Sequence, residues 1–206
     1  MNKNHSLIRR TAAVVVAGAA SLVLAACGSS DNSSAGNSSG QPSASAPAAQ
    51  GRHNAADIAF AKGMIPHHRQ AVEMADLAPT RAASAEVKTL AEEIRKAQDP
   101  EIKTMSGWLT SWGEQVPTEG AMDHSGHGTG GGMMTAEEMG KLEKSSGKAF
   151  DTAFMELMIK HHEGAVAMAK TEKADGTFPG AKTMADAIIT SQTAEIARMN
   201  SLLGKN

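Results

Sequence analysis

Residues 60–75 read FAKGMIPHHRQAVEMA, and residues 154–169 read FMELMIKHHEGAVAMA. Sliding residues 60 to 109 onto 154 to 203 at a constant offset of 94, without a gap, gives 18 identities in 50 positions. The matches include Met64/Met158, His67/His161, His68/His162 and Met74/Met168, then Gln98/Gln192, Glu101/Glu195 and Met105/Met199. Ungapped identity over that length is an internal duplication, so the fold must be built from two copies of one unit.

Each copy has the period of two amphipathic helices. In the first helix Phe60, Met64, His67, Ala71, Met74 and Ala78 step by three and four, and Ala61, Ile65, His68, Val72 and Ala75 form the adjacent row. Both histidines therefore lie in one wide apolar stripe. In the second helix Val87, Leu90, Ile94, Gln98, Glu101, Met105 and Trp108 keep the same spacing, so Gln98 and Glu101 interrupt an apolar seam. Pro79 and the stretch Phe178-Pro179-Gly180 separate the helices of each pair, which makes each copy an antiparallel hairpin. Pro66 and Pro100 fall inside the helical pattern and predict a kink near each, or a helix start near Pro100. Thr135 with Glu138 predicts a capping box for a short helix that breaks again at Ser145-Ser146-Gly147. Two hairpins with one apolar face each bury those faces on one another, giving an all-α, antiparallel four-helix bundle.

Composition agrees. The 206 residues contain 3% aromatics and no Tyr but 13 Met, too few strand-forming side chains for a β-sandwich. Arg9 and Arg10 precede an apolar run from Thr11 to Ala26 that ends in Leu24-Ala25-Ala26-Cys27. That is a charged region, an apolar region and a small-residue cut site before cysteine, so residues 1–26 read as a lipoprotein signal and Cys27 as the lipidated residue. The sole cysteine excludes an internal disulfide or a thiolate metal site. Residues 27–51 are Ser, Ala, Gly, Asn and Pro with almost no large apolar side chain, a flexible lipid-anchored tether. The folded domain is 52–206: repeat one about 52–116, a Met/His/Gly-rich loop 117–134, and repeat two about 135–206. The formal charge is −2, and −5 once Lys3, Arg9 and Arg10 leave with the signal, with no basic cluster elsewhere. Nucleic acid is excluded as a partner for want of an electrostatic footprint.

At about 100° per residue, Met64 falls at about 60° from His67 and His68 at about 100°, so a thioether lies between the two imidazoles. The duplication predicts four His, two Glu and two Gln in the middle of one bundle. Buried singly, each is a satisfied core residue or a snorkelling acid. Retained together in both copies, they would be costly to bury unless hydrogen-bonded to one another or sharing a cation. The candidate metal ligands are His67, His68, His161 and His162, with Met64, Met158, Met74, Met168, Glu101 and Glu195 beside them. Thioethers suit Cu(I) and imidazole suits copper, zinc and iron, so the set points to copper, with another transition metal as the alternative. Met122, His124, His127, Met133 and Met134 in the loop form a secondary capture site, or a plain linker.

The two quoted stretches, each followed by a Gln-x-x-Glu-Ile-x-x-Met helix, resemble the bacterial domain-of-unknown-function family three hundred and five over about residues 52 to 204. The resemblance implies a ferritin-like four-helix bundle in exported proteins, some of which bind copper and support copper tolerance. It implies that the paired histidines are the metal-binding ones. The leading expectation is a lipid-anchored envelope protein that sequesters copper, Cu(I) or Cu(II), or hands it to an envelope partner, with no catalytic residue assigned. A ferritin-like di-metal oxidase is the alternative, but the Glu-x-x-His pair it needs in two helices is absent. A metal-free envelope interaction module is the third reading.

Overall fold

Asn54 starts the first helix by accepting from the N–H groups of Ala56 and Asp57, while the Asp57 carboxylate accepts from the Asn54 N–H at 2.6 Å. This reciprocal cap satisfies the orphan donors of the first turn. The computed structural model describes residues 52–118 and 131–205. The signal, Cys27, the tether, Met122, His124 and His127 lie outside the described residues. The elements are α1 (Ala55–Arg81), α2 (Ala85–Ser111), the short α3 (Ala136–Lys144), α4 (Gly147–Asp175) and α5 (Pro179–Leu202).

α1 packs along α2, and α4 along α5, and the two hairpins meet through α1 and α4. The protein is a four-helix bundle of two duplicated hairpins, with α3 laid across α1 and α4. α3 begins at Thr135 with the predicted capping box, Glu138 reaching back to the Thr135 N–H at 2.7 Å. Pro79 does not end its helix, and no helix starts near Pro100. α1 runs through Pro79 to Arg81, and the break comes at Ala82–Ser84, because a missing N–H in the last turn forfeits one bond while the Ala82 N–H still reaches the Ala78 carbonyl at 3.0 Å. α2 is continuous through Pro100 from its Ser84 cap.

Aspartates lock the hairpins together in a way that the duplication repeats. The Asp57 carboxylate on α1 accepts from the N–H groups of Thr177 and Phe178 in the α4–α5 turn, at 3.1 and 2.9 Å. The Asp151 carboxylate on α4 accepts from the N–H groups of Ala83 and Ser84 in the α1–α2 turn, at 3.1 and 2.9 Å. Every partner is related by the offset of 94 (57 and 151, 83 and 177, 84 and 178). Each turn thus rests on the N-terminal end of the other hairpin's leading helix, so α1 and α4 run antiparallel about a pseudo-twofold axis.

The apolar core falls into two clusters. One contains Met74, Leu90, Ile94, Phe150, Phe154 and Met158; the other contains Phe60, Met64, Ile65, Met105, Leu109 and Ile188. Neither includes the histidines, although His67, His68, His161 and His162 are all buried. A polar layer across the bundle's waist, at the middle of α1 and α4, separates two dry ends.

Candidate metal centre

The four imidazoles come from consecutive positions of α1 and α4, which the helical period turns toward the core. His67 and His161 are in ring contact across the pseudo-axis, with centroids 3.7 Å apart. His68 lies 6.5 Å from His67, and His162 lies 6.4 Å from His161. Outward from this pair, His68 Nε2 is 2.6 Å from a Glu101 carboxylate oxygen on α2, and His162 Nε2 is 2.5 Å from Glu195 on α5. The rings are fully buried while the glutamates are 22% and 19% exposed, so the carboxylates sit at the rim of the layer.

One strand of connecting chain crosses this layer. His67 Nε2 donates to the Gly131 carbonyl at 2.8 Å. Three residues on, Gln70 clamps Met134 from both sides: its amide donates to the Met134 carbonyl at 2.9 Å and its oxygen accepts from the Met134 N–H at 2.6 Å. The strand lies close against α4 at Gly164, where a Cβ would stand 1.9 Å from the Gly131 oxygen. Gly132 requires its own lack of a side chain, with φ at +76° and a Cβ position 2.5 Å from the Lys160 carbonyl.

Burial sets the electrostatics. Desolvation, with the neighbouring His68 and His162 rings, pushes the His67 pKa down to about 3 against the smaller effect of the Gly131 bond. His161 is held well below its ordinary value by burial and then by the other three imidazoles. Both rings are therefore neutral at physiological pH, the form that binds a metal. Since a carbonyl can only accept, His67 carries its hydrogen on Nε2, and Nδ1 is a bare lone pair.

Unpaired buried polar atoms concentrate here. Nδ1 of all four histidines, Nε2 of His161 and Oε1 of Gln98 and Gln192 have no protein partner. Those are seven of the nine such side-chain atoms among the described residues. Each unsatisfied buried group costs about 1–3 kcal/mol, so the layer's cost rivals the roughly 5–15 kcal/mol stability of a whole domain. Such a concentration marks a site where something other than protein completes the bonding.

Thioethers flank the layer on both sides. Met64 is buried in one dry cluster and Met158 in the other; Met74 is buried with Met158, and Met168 is half-buried against the Met64 cluster. Met133 is half-buried. Met134 is 3% exposed and belongs to the core with Met139 and Leu142, so its side chain anchors the strand. Among the described residues no three His, Cys, Asp or Glu side chains form a ready-made metal cage, because each glutamate has turned to the histidine of its own hairpin.

Sequence reasoning missed three features. Asp57/Asp151 was within reach: extending the alignment three residues upstream of Phe60/Phe154 exposes the identity. Gln70 and Gly164 occupy equivalent positions but differ, so a search for identities passes over them. Glu172 is 1% exposed beside Asp57, and burial, then the neighbouring Asp57 carboxylate, push its pKa up to about 8. Its counterpart is Ala78, which gave no warning. A surface cleft of about 660 Å³ lies between α1, α2 and α3, lined by Arg69, Glu73, Asp76, Asp99, Lys103 and Glu143. It is open, with Val72, Leu77 and Ile102 among the charged side chains, and holds none of the unpaired buried atoms, so the chemistry belongs to the histidine layer.

The family described as Domain of unknown function (DUF305) matches residues 57–203. The chain belongs to the DUF305 family. Among solved DUF305 structures, one from Streptomyces coelicolor, described as secreted, is 35% identical, with a TM-score of 0.65 over 73% of this chain and 91% of that one. A fragment from Deinococcus radiodurans is 27% identical, with a TM-score of 0.65 over 74% of this chain and 98% of that one. CopM in its Cu(II)-bound form is 37% identical, with a TM-score of 0.62 over 71% of this chain and 94% of that one. CopM has also been solved in Cu(I)-bound, Ag-bound and apo forms. Among curated proteins none matches this chain.

Proposed function

We propose that this protein is a lipid-anchored metal carrier of the bacterial cell envelope that takes copper into its histidine layer for sequestration, tolerance or transfer. The observation that carries this reading is the set of buried, unpartnered imidazole nitrogens, on the two helices that also bury Met64 and Met158. A soft ion is the partner that imidazole and thioether satisfy together. His67, His68, His161 and His162 are the core donors, with Met64 and Met158 nearest in the pattern and Met74 and Met168 one step out. Glu101 and Glu195 complete the polar layer. Met122, His124, His127 and Met133 form a capture segment leading to the strand that Met134 anchors. CopM, a relative solved with Cu(I), Cu(II) and Ag, supports the class of cargo.

Export and anchoring rest on the signal and Cys27, and the secreted Streptomyces relative supports export. Among the described residues no helix is long and apolar enough to cross a membrane. The di-metal oxidase reading draws less support, because the two carboxylates stand at the rim on histidine nitrogens instead of bridging a centre.

The test is a competition titration with Cu(I) and with Zn(II) on the wild type, on H67A/H68A and on H161A/H162A. Either double variant should lose most of the core Cu(I) affinity, and Cu(I) should outcompete Zn(II) in the wild type. Unchanged Cu(I) affinity in both variants would return the histidines to a structural role.

A further inference from the structure

Two of the four rings carry a device that the duplication has kept in duplicate. We propose that Glu101 and Glu195 are positioning residues, each holding its histidine as the Nε2–H tautomer, so that Nδ1 of His68 and of His162 is the atom offered to a soft cation. This rests on the copper reading above and specifies which atoms carry it.

The geometry leaves each ring one choice. Nε2 of His68 and of His162 lies 2.6 and 2.5 Å from a carboxylate oxygen, a distance that requires a hydrogen between the two atoms. A hydrogen on Nδ1 alone would set two lone pairs against each other at Nε2 and bury an unpaired donor at the other edge. A hydrogen on both nitrogens would also leave a buried N–H without an acceptor, since Nδ1 of both rings has no protein partner. The Nε2–H form avoids both penalties, and its bare Nδ1 lone pair is a ligand in waiting.

Burial separates the roles. The imidazoles are fully buried, whereas the glutamates keep 22% and 19% of their side-chain surface in solvent. Imidazole nitrogen is also the softer donor, so a Cu(I)- or Ag(I)-like ion prefers the ring to the carboxylate. A carboxylate behind a ligating histidine fixes ring orientation and raises ligand basicity. His67 uses a peptide carbonyl, that of Gly131, for the same purpose and likewise presents Nδ1. Three rings thus offer the same atom by two different supports.

The experiment uses the full chain labelled with ¹⁵N-histidine, with Ag(I) as a diamagnetic probe. Without metal, the ring nitrogens of His68 and His162 should report hydrogen on Nε2 and none on Nδ1. On adding Ag(I), the Nδ1 signals should move while Nε2 keeps its hydrogen. E101Q/E195Q retains an acceptor oxygen for Nε2–H and should keep the tautomer and bind Ag(I) within a few-fold of wild type. E101A/E195A should mix the tautomers and lose about 10–100-fold in affinity. Nδ1–H or doubly protonated rings in the metal-free wild type would overturn the proposal. So would a Gln variant as damaged as the Ala variant, the signature of direct carboxylate ligation. A wild type that takes up no Ag(I) would instead overturn the copper reading, a distinct failure because the tautomers are read before silver is added.

Discussion

Replacing Asp57 by Ala tests the cross-lock where it is richest. The carboxylate is fully buried and accepts from the N–H groups of Asn54, Thr177 and Phe178 and from the Thr177 hydroxyl. A hydrogen bond to a charged group contributes about 1.5–3 kcal/mol when the partner is left unsatisfied. The Asn54 bond is a helix cap worth about 1 kcal/mol, and the Thr177 and Phe178 groups lie in a turn that water partly reaches, so a net loss of about 3 kcal/mol follows. At about 2–4 °C per kcal/mol for a domain of this size, Tm should fall by about 6–12 °C. Asp151→Ala removes two N–H bonds, to Ala83 and Ser84, and should cost about 2 kcal/mol. Urea unfolding followed by circular dichroism at pH 7, with thermal melts alongside, gives both values. A loss under 1 kcal/mol for Asp57→Ala, or a larger loss for Asp151→Ala, would refute the reasoning.

Stability of the metal-free chain should peak near neutral pH. His67 and His161 have depressed folded values, so the unfolded chain binds protons first, and stability falls as pH drops below about 6.5 toward the His67 value of about 3. Glu172 has a raised value, so its contribution is full below about 4.5 and is lost as pH rises through about 8, with a slope of at most about 1.4 kcal/mol per pH unit; E172Q should flatten that alkaline limb in chemical melts. Gly164→Ala should cost about 1–3 kcal/mol and release the 131–134 strand, read as loss of amide-exchange protection at Met134; unchanged protection would contradict the close packing. Cys27→Ser should block lipidation and leave an unprocessed precursor in membrane fractions; normal processing would remove the anchor from the proposal.

The architecture was legible because period and repetition are long-range properties of the chain. Stripes of Phe60, Met64, His67, Ala71 and Met74 specify a buried helix face, and the offset of 94 forces a twofold arrangement whatever the loops do. The histidines were legible for the same reason: polar residues on an apolar stripe, kept twice. What the sequence concealed was direction. A carboxylate one turn beyond Gln98 could bind a metal or a ring nitrogen with equal economy of spacing, and only packing decides that Glu101 reaches His68. Asymmetric partners were concealed too, because Gln70 and Glu172 matter through contacts that their counterparts Gly164 and Ala78 do not make in the other copy. Pro79 misled by two residues, since a proline in the last turn forfeits one hydrogen bond, too little to end the helix there.

The seat of the connecting strand has a consequence for how the two halves came to need each other. Positions 70 and 164 are equivalent under the repeat, yet one has become the glutamine that grips Met134 and the other the glycine that lets Gly131 lie against the helix. A symmetric pair of first hairpins would have two grips and no room for the chain. A pair of second hairpins would have room on both sides and nothing to hold it. The halves have specialised as hand and socket around one piece of backbone, and neither can any longer stand in for the other.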